Sequence, residues 1–251
     1  MIMERETRMD FAKLTNPGER PVNEDAVGTA ACADAMCFVL ADGLGGHGGG
    51  DAASRAAVET VCAHFAEFGW SESFFEESFA LAQREILALQ ERSRAYGRMK
   101  TTLTVLVVTA DEAYHAHVGD SRLYLFTRHR QLLRTRDHSV PEMLAMSGTI
   151  RESQIRFHPD RNRLVQVLGV EQQPPKPEIG APIRRKGHQA FLLCSDGFWE
   201  WIDEKEMLRT RRSADSCDAW LKDMERTVCR NGQGRDMDNY SAIAVFCGAK
   251  D

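Results

Sequence analysis

Hydrophobic positions along this chain fall into three kinds of pattern. Short, nearly unbroken apolar runs occupy 36–41 (MCFVLA), 103–109 (LTVLVVT), 122–128 (RLYLFTR), 190–195 (AFLLCS) and 241–247 (SAIAVFC). Runs of this length, rich in β-branched and aromatic residues, predict buried strands. Residues 112–119 (EAYHAHVG) alternate instead, with Tyr114, Ala116 and Val118 on one side and His115 and His117 on the other, which is the period of a strand. Residues 50–67 and 72–93 carry apolar residues at helical spacing. The second stripe contains Phe74, Phe75, Phe79, Ala82, Ile86 and Leu89. Helical patterns return in 204–209 (EKEMLR) and 213–230 (SADSCDAWLKDMERTVCR).

The links within 103–128 are short, which predicts an antiparallel meander of three strands. Strands outnumber helices and no steady βαβ alternation runs through the chain. The pattern therefore predicts an α+β protein with largely antiparallel sheets. Residues 137–163 break the rhythm. They are polar, with short helical pieces and Arg151, Arg156, Arg161 and Arg163, and they read as an insertion. The proline-rich stretch 173–183 (QPPKPEIGAPI) reads as a loop leading into an edge strand.

Composition narrows the classes. The 251 residues are 43% hydrophobic and 27% charged, enough for one large domain or two small ones. The net charge of -5 argues against nucleic acid or an anionic membrane as partner. No apolar run approaches the roughly 20 residues of a membrane span, and the opening MIMERETRMDFAKL lacks the apolar centre of a signal peptide. The seven cysteines are odd in number, scattered, and without a C-x-x-C. Several sit inside apolar runs, which predicts reduced core thiols in a cytoplasmic protein.

One stretch, CFVLADGLGGHGGGDAASRAA (37–57), contains a formal G-x-G-x-x-G at Gly43, Gly45 and Gly48. A dinucleotide-binding turn needs a βαβ unit with an acid about 20 residues on. A second helical pattern follows here, so that reading, a dinucleotide-dependent oxidoreductase, fails on context. More informative is the acid before the glycines. Asp42 ends an apolar strand. Asp196 ends another in FLLCSDG, Asp120 follows one in HVGDSR, Asp238 precedes the last, and Glu24 and Asp25 lie upstream of the first. Each alone is an ordinary turn acid. Several together can converge, and carboxylates share a small volume only with cations between them. An all-oxygen set suits Mg²⁺ or Mn²⁺.

The segments RPVNED (20–25), ADGLGGHGGG (41–50), KTTLT (100–104), HVGDSRLYL (117–125), RDHSV (136–140), LLCSDGFWE (192–200) and DNYSA (238–242) resemble, in order and spacing, the motifs of the metal-dependent protein phosphatases of the PPM/PP2C family. The likeness runs from about residue 5 to 247. The stretch from Val140 to Gly169 is similar to the flap of bacterial members, most of all those encoded with type VI secretion systems. The resemblance implies one domain over 5–248, with a flap at about 140–163, folded as an αββα sandwich of two antiparallel sheets flanked by helices. It implies a Mg²⁺/Mn²⁺-dependent phosphatase of phosphoserine and phosphothreonine proteins that counteracts a Ser/Thr protein kinase. In such enzymes a bridging metal-bound hydroxide attacks phosphorus in line.

By the same resemblance Asp42 bridges two ions, the Gly43 carbonyl binds one, and Asp196 and Asp238 hold the second. Asp25, with Glu24, holds bound waters. Asp120, with Asp196, serves a weaker third ion, near which Glu200 stands. Arg20 grips the substrate phosphate; its other reading is a solvated surface charge. Leu44 departs from the pattern, because many relatives have a histidine there as general acid. His47 lies in the same turn. His138 reads as holding a turn, His115 and His117 as core or surface residues, and Trp199 and Trp201 as packing. The flap arginines are either solvated or select acidic or phosphorylated segments. A non-catalytic phosphoprotein-binding relative and a small phosphoester substrate remain as alternatives.

Overall fold

An alternation hidden inside the apolar runs sets the architecture. The computed structural model describes residues 9–44, 49–95, 97–172, 174 and 176–248. In β3 (Ala35–Leu44), Cys37, Val39 and Ala41 face one core while Phe38 and Leu40 face another. The period of two is intact, but both faces are covered, so the strand reads as one apolar run. The whole chain follows this rule. It runs β1 (Asp10–Asn16), β2 (Asp25–Ala31), β3, α1 (Gly50–Phe68), α2 (Phe74–Ser93), β4 (Lys100–Thr101), β5 (Leu103–Thr109), β6 (Glu112–Val118), β7 (Arg122–Phe126) and β8 (Gln131–Arg134). It continues through α3 (Val140–Met146), a 3₁₀ segment (Glu152–Phe157), β9 (Glu178–Ile179), β10 (Ile183–Arg184), β11 (Gln189–Cys194), α4 (Asp196–Trp199), α5 (Glu204–Ser213), α6 (Cys217–Gly232) and β12 (Tyr240–Cys247).

Two antiparallel sheets result. One has the order β1-β12-β11-β7-β8. The other has β10-β6-β5-β3-β2, with β4 on β3 and β9 on β6. Phe38, Leu106, Leu123, Phe191, Leu193, Ile243 and Val245 fill the space between the sheets. Helices α1 and α2 bury Ala57, Val61, Phe65, Phe75 and Ile86 against the outer face of the β3 sheet. Helices α5 and α6 bury Met207, Trp220 and Met224 against the outer face of the other. This is the α+β, αββα sandwich expected from the sequence. Helix starts follow local chemistry: the Asp203 carboxylate accepts from the Glu206 N–H at the head of α5, and the Ser216 hydroxyl accepts from the Ala219 N–H at the head of α6.

Two details correct the sequence reading. Strands β1 and β2 were not expected, so Asp25 does not precede the first strand; it opens the second. Their apolar content is thin (DFAKLTN, DAVGTAA), because each lies at a sheet edge. The meander also breaks. β5 and β6 pair, but β7 joins the opposite sheet beside β11. The turn at Gly119, with φ of 105°, carries the chain across the sandwich, a conformation favoured by glycine.

The 137–163 insertion contains α3 and the 3₁₀ segment, as its polar, broken pattern predicts. Its base is pinned by the buried Arg122, which donates to both Asp137 oxygens at 2.8 and 2.7 Å and lies over the Trp199 ring. Trp199 is therefore packing, as expected, and its indole N–H donates to the Asp120 carbonyl at 3.0 Å.

Candidate active site

The sandwich brings the predicted acids to one end of the two sheets. Asp25 and Asp42 are cross-strand partners on β2 and β3. Asp196 follows β11, Asp238 precedes β12, and Asp120 sits in the turn from β6 to β7. A cleft of about 590 Å³ is lined by Arg20, Glu24, Asp42, Gly43, Asp120, Asp196, Asp238 and Asn239. Asp25 lies behind it, buried.

Neighbouring hydroxyl and backbone groups hold several of the acids in place. The Asp42 N–H donates to the Thr102 hydroxyl, and the Asp42 carbonyl accepts from the Thr101 hydroxyl and the Thr102 N–H, all at 2.9 Å. This is what the KTTLT segment does. Thr102 and Ser121 share a hydroxyl bond of 2.7 Å, and Thr104 donates to the Ser121 carbonyl. The Asp120 turn is thereby tied to β5. Ser195 donates to Asp25 Oδ2 at 2.8 Å and accepts from the Ser241 N–H. Gly43 is wedged between the Gly50 and Glu24 carbonyls, and a Cβ there would collide with both. That close approach, and not a phosphate cradle, accounts for a glycine at this position.

Asn239 organises the loop before β2. Its amide donates to the Pro17 and Val22 carbonyls at 2.8 and 3.0 Å, and its Oδ1 accepts from the Glu24 N–H at 2.7 Å. Arg20 lies on that loop. Asn239→Ala is expected to cost about 2 kcal/mol, since the Val22 carbonyl and the Glu24 N–H lose their partner and the Pro17 carbonyl keeps only the Arg20 N–H. Thermal unfolding checks it, with a fall of about 4–8 °C expected for a chain of this size.

The electrostatics are those of a crowded carboxylate cluster. Burial first, then Asp25, Asp196, Asp120 and Asp238, push the Asp42 carboxyl far above its usual range. Burial pushes Asp25 up to about 7 against the bonds from Ser241 and Ser195. Burial and Asp238 push Asp196 up to about 6, while a hydrogen bond shared with Asp42 opposes the rise. Burial and Asp196 hold Asp120 well above the ordinary value. Two carboxyl groups that share a hydrogen bond need a proton or a cation between them. Asp25 Oδ1 is also buried without a hydrogen-bond partner among the described residues. The donors are all oxygen. This set fits hard divalent cations.

Arg20 stands at the rim, ion-paired with Asp238 and Asp236 at 3.2 Å each. Glu200 is pushed up to about 7 by burial and by Asp196, and it accepts from Arg161 of the insertion at 2.6 Å. Two contributions were not anticipated. Asp51 in the first turn of α1 lines the cleft, as do Asn162 at the end of the insertion and Leu164 just after it. An acid in a first helical turn carries no signal beyond capping. Leu44 lines the cleft and brings no proton donor. His47 lies outside the described residues. His138 does hold a turn: its Nδ1 accepts from the Gly119 N–H at 3.2 Å. His115 and His117 are buried.

Comparison with known proteins places this geometry. The family described as protein phosphatase 2C matches residues 19–239. Serine/threonine phosphatase stp of Listeria monocytogenes is 33% identical over 225 residues, covering 84% of this chain and 85% of that protein. The catalytic domain of the serine/threonine protein phosphatase PstP, solved with two manganese ions, superposes with a TM-score of 0.80 at 23% identity, over 96% of this chain and 98% of that one. PppA, a key regulatory component of T6SS in Pseudomonas aeruginosa, gives a TM-score of 0.77 at 26% identity, over 94% and 96%. PppA superposes with a lower TM-score than PstP and is less identical than the Listeria phosphatase, so the type VI subgroup is not singled out.

Proposed function

Because the chain belongs to the protein phosphatase 2C family and is a phosphoprotein phosphatase, we propose that it hydrolyses phosphoserine and phosphothreonine in proteins at the cleft around Asp42. The observation that carries this is the convergence of five acids from separate segments on one cleft: Asp42, Asp120, Asp196 and the exposed Asp238 line it, and the buried Asp25 lies behind Asp42. Asp42, the Gly43 carbonyl, Asp196 and Asp238 would hold two ions of Mg²⁺ or Mn²⁺. Asp25 and Glu24 would hold their waters, and Asp120 with Asp196 a weaker third ion. When bound, such ions activate water for in-line attack on phosphorus and offset charge on the phosphoryl oxygens.

The chain's own groups complete the task. Arg20, now ion-paired with Asp236 and Asp238, would present its guanidinium fork to the substrate phosphate, exchanging those carboxylates for phosphate oxygens. Asn239 fixes the loop that carries it. Thr101 and Thr102 keep Asp42 from swinging away. Glu200, gripped by Arg161, links the insertion to the acid end of β11. No helix of the described residues is long and apolar enough to cross a membrane. We place the enzyme in the cytoplasm, opposing a Ser/Thr protein kinase.

The test is phosphate release from a phosphothreonine peptide with Mn²⁺, Mg²⁺ or EDTA. Metal-dependent release supports the reading. No turnover with any divalent ion, in folded protein, moves it to phosphoprotein binding alone. Arg20→Ala is expected to lower kcat/KM about 10- to 100-fold, the worth of charged hydrogen bonds of about 1.5–3 kcal/mol. Arg20→Lys recovers only part, for lack of the fork. Steady-state kinetics on the same peptide decide this.

A further inference from the structure

A second group of ligating side chains lies outside the carboxylate cluster. We propose that His117, His138 and Glu178 form a binding site for one Zn²⁺ ion, and that filling it disturbs the turn carrying Asp120 and so lowers phosphatase activity. The binding half stands on geometry alone; the activity half rests on the function proposed above.

The three residues come from different elements. His117 and Glu178 are cross-strand partners on β6 and β9. His138 reaches them from the loop after β8, with His138 Nε2 3.5 Å from Glu178 Oε2. One ligand atom from each residue lies within 4.8 Å of the other two. The two imidazole rings have centroids 4.7 Å apart and planes 23° apart. Two imidazoles on one tetrahedral zinc, with bonds of about 2.0–2.1 Å, have centroids about 5 Å apart. The rings are therefore near the required spacing, and because they are stacked one of them must turn for both lone pairs to meet on one ion. Glu178, with a side chain 53% exposed, has room to close in.

Proton placement supports His117 as a ligand. Its Nε2 lies 2.7 Å from the Arg136 carbonyl, which accepts only, so that nitrogen carries the hydrogen. The lone pair is left on Nδ1, which is buried and has no partner among the described residues. A backbone carbonyl on the far nitrogen is the usual orienting partner of a metal-binding histidine. Burial also holds His117 below its ordinary pKa, with Arg136 opposing, so the ring is neutral near pH 7. Two nitrogens and one carboxylate suit zinc, whereas the oxygen-only cluster suits Mg²⁺ or Mn²⁺.

His138 supplies the link to activity. Its Nδ1 accepts from the Gly119 N–H, so the neutral ring carries its hydrogen on Nε2. Ligation through Nε2 moves that hydrogen to Nδ1, where it meets the Gly119 N–H, and the bond is lost. Gly119 precedes Asp120 and holds the left-handed turn between the two sheets.

The experiment is a Zn²⁺ titration of the Mg²⁺-loaded protein. Histidine ring ¹⁵N resonances and phosphopeptide turnover are followed together, in wild type and in Glu178→Gln. At one equivalent, the His117 and His138 ring signals are expected to shift, with turnover falling in parallel. Glu178→Gln, at an exposed edge position, should weaken both responses about tenfold or more. Ring signals that stay fixed while Zn²⁺ displaces Mg²⁺ and turnover falls would overturn the site. Equal affinity in Glu178→Gln would do the same. Ring shifts with unchanged turnover would overturn the coupling to Asp120. Protein with no turnover under any condition would fail the proposed function, and the ring signals would still report on the site.

Discussion

Asp42→Asn is expected to lower metal-dependent turnover about 10³-fold or more and to raise the thermal stability of the metal-free protein. The two effects have one cause. Asp42 lines a cleft among other carboxyl groups, and its charge is opposed by burial and by Asp25, Asp196, Asp120 and Asp238. Asp196 lies close beside it, and two such neighbouring carboxyl groups repel when both are ionised. An asparagine cannot ionise, so it relieves that repulsion, and its amide can donate to a neighbouring carboxylate. The backbone clamp from Thr101 and Thr102 is untouched, so the fold is preserved. The proposed catalysis would need the opposite, a full charge on Asp42 to hold cations, and loss of transition-state electrostatics of this kind costs orders of magnitude. Phosphopeptide turnover with saturating Mn²⁺, and melting in EDTA at pH 8, are the two readouts. Turnover within tenfold of wild type would remove Asp42 from the metal centre. A lower melting temperature in EDTA would show that its charge stabilises the metal-free fold.

What could be seen beforehand divides by physical cause. The sandwich was legible because β3, β5, β11 and β12 are covered on both faces and so appear as unbroken apolar runs. Strands β1 and β2 were not legible, since at sheet edges their pairing is made by backbone groups that any residue supplies. The crossing at Gly119 was missed for a similar reason. A short link between strands does not say whether the next strand returns to the same sheet; the pairing of β7 with β11 does.

The acids were legible by position, each at a strand end. Their convergence depends on how two sheets stack, and no local pattern encodes that. Asp51 and the Arg161–Glu200 contact were invisible on the same account: one looks like a cap residue, the other joins positions 39 apart. The pairing of His117 with Glu178 is a matter of register across a two-residue strand, which sequence pattern leaves open.

Removing the metal is expected to make stability fall as pH rises from about 4 to about 8, the reverse of the behaviour of most carboxylate-rich proteins. In the folded, metal-free chain Asp25 titrates at about 7, Asp196 at about 6 and Glu200 at about 7, with burial the leading cause in each case. Asp42 and Asp120 are raised as well. In the unfolded chain these groups titrate near 4. Between those values the folded state binds more protons than the unfolded state, so stability decreases with rising pH. The contribution is fully present below about pH 4 and is lost through pH 6–7 as the folded groups ionise. Divalent cations held by the ionised cluster would reverse the trend, because they compete with its protons. Melting in EDTA should drop by at least about 5 °C between pH 5 and pH 8, which for this chain length corresponds to roughly 2 kcal/mol. Saturating Mg²⁺ or Mn²⁺ should restore more stability at pH 8 than at pH 5. Asp42→Asn should flatten the EDTA profile, which separates the cluster from all other titrating groups. A metal-free profile that rises from pH 5 to 8, or equal stabilisation by metal at both ends, would mean that the carboxylates are solvated and charged in the folded chain and that the end of the sandwich is open to water.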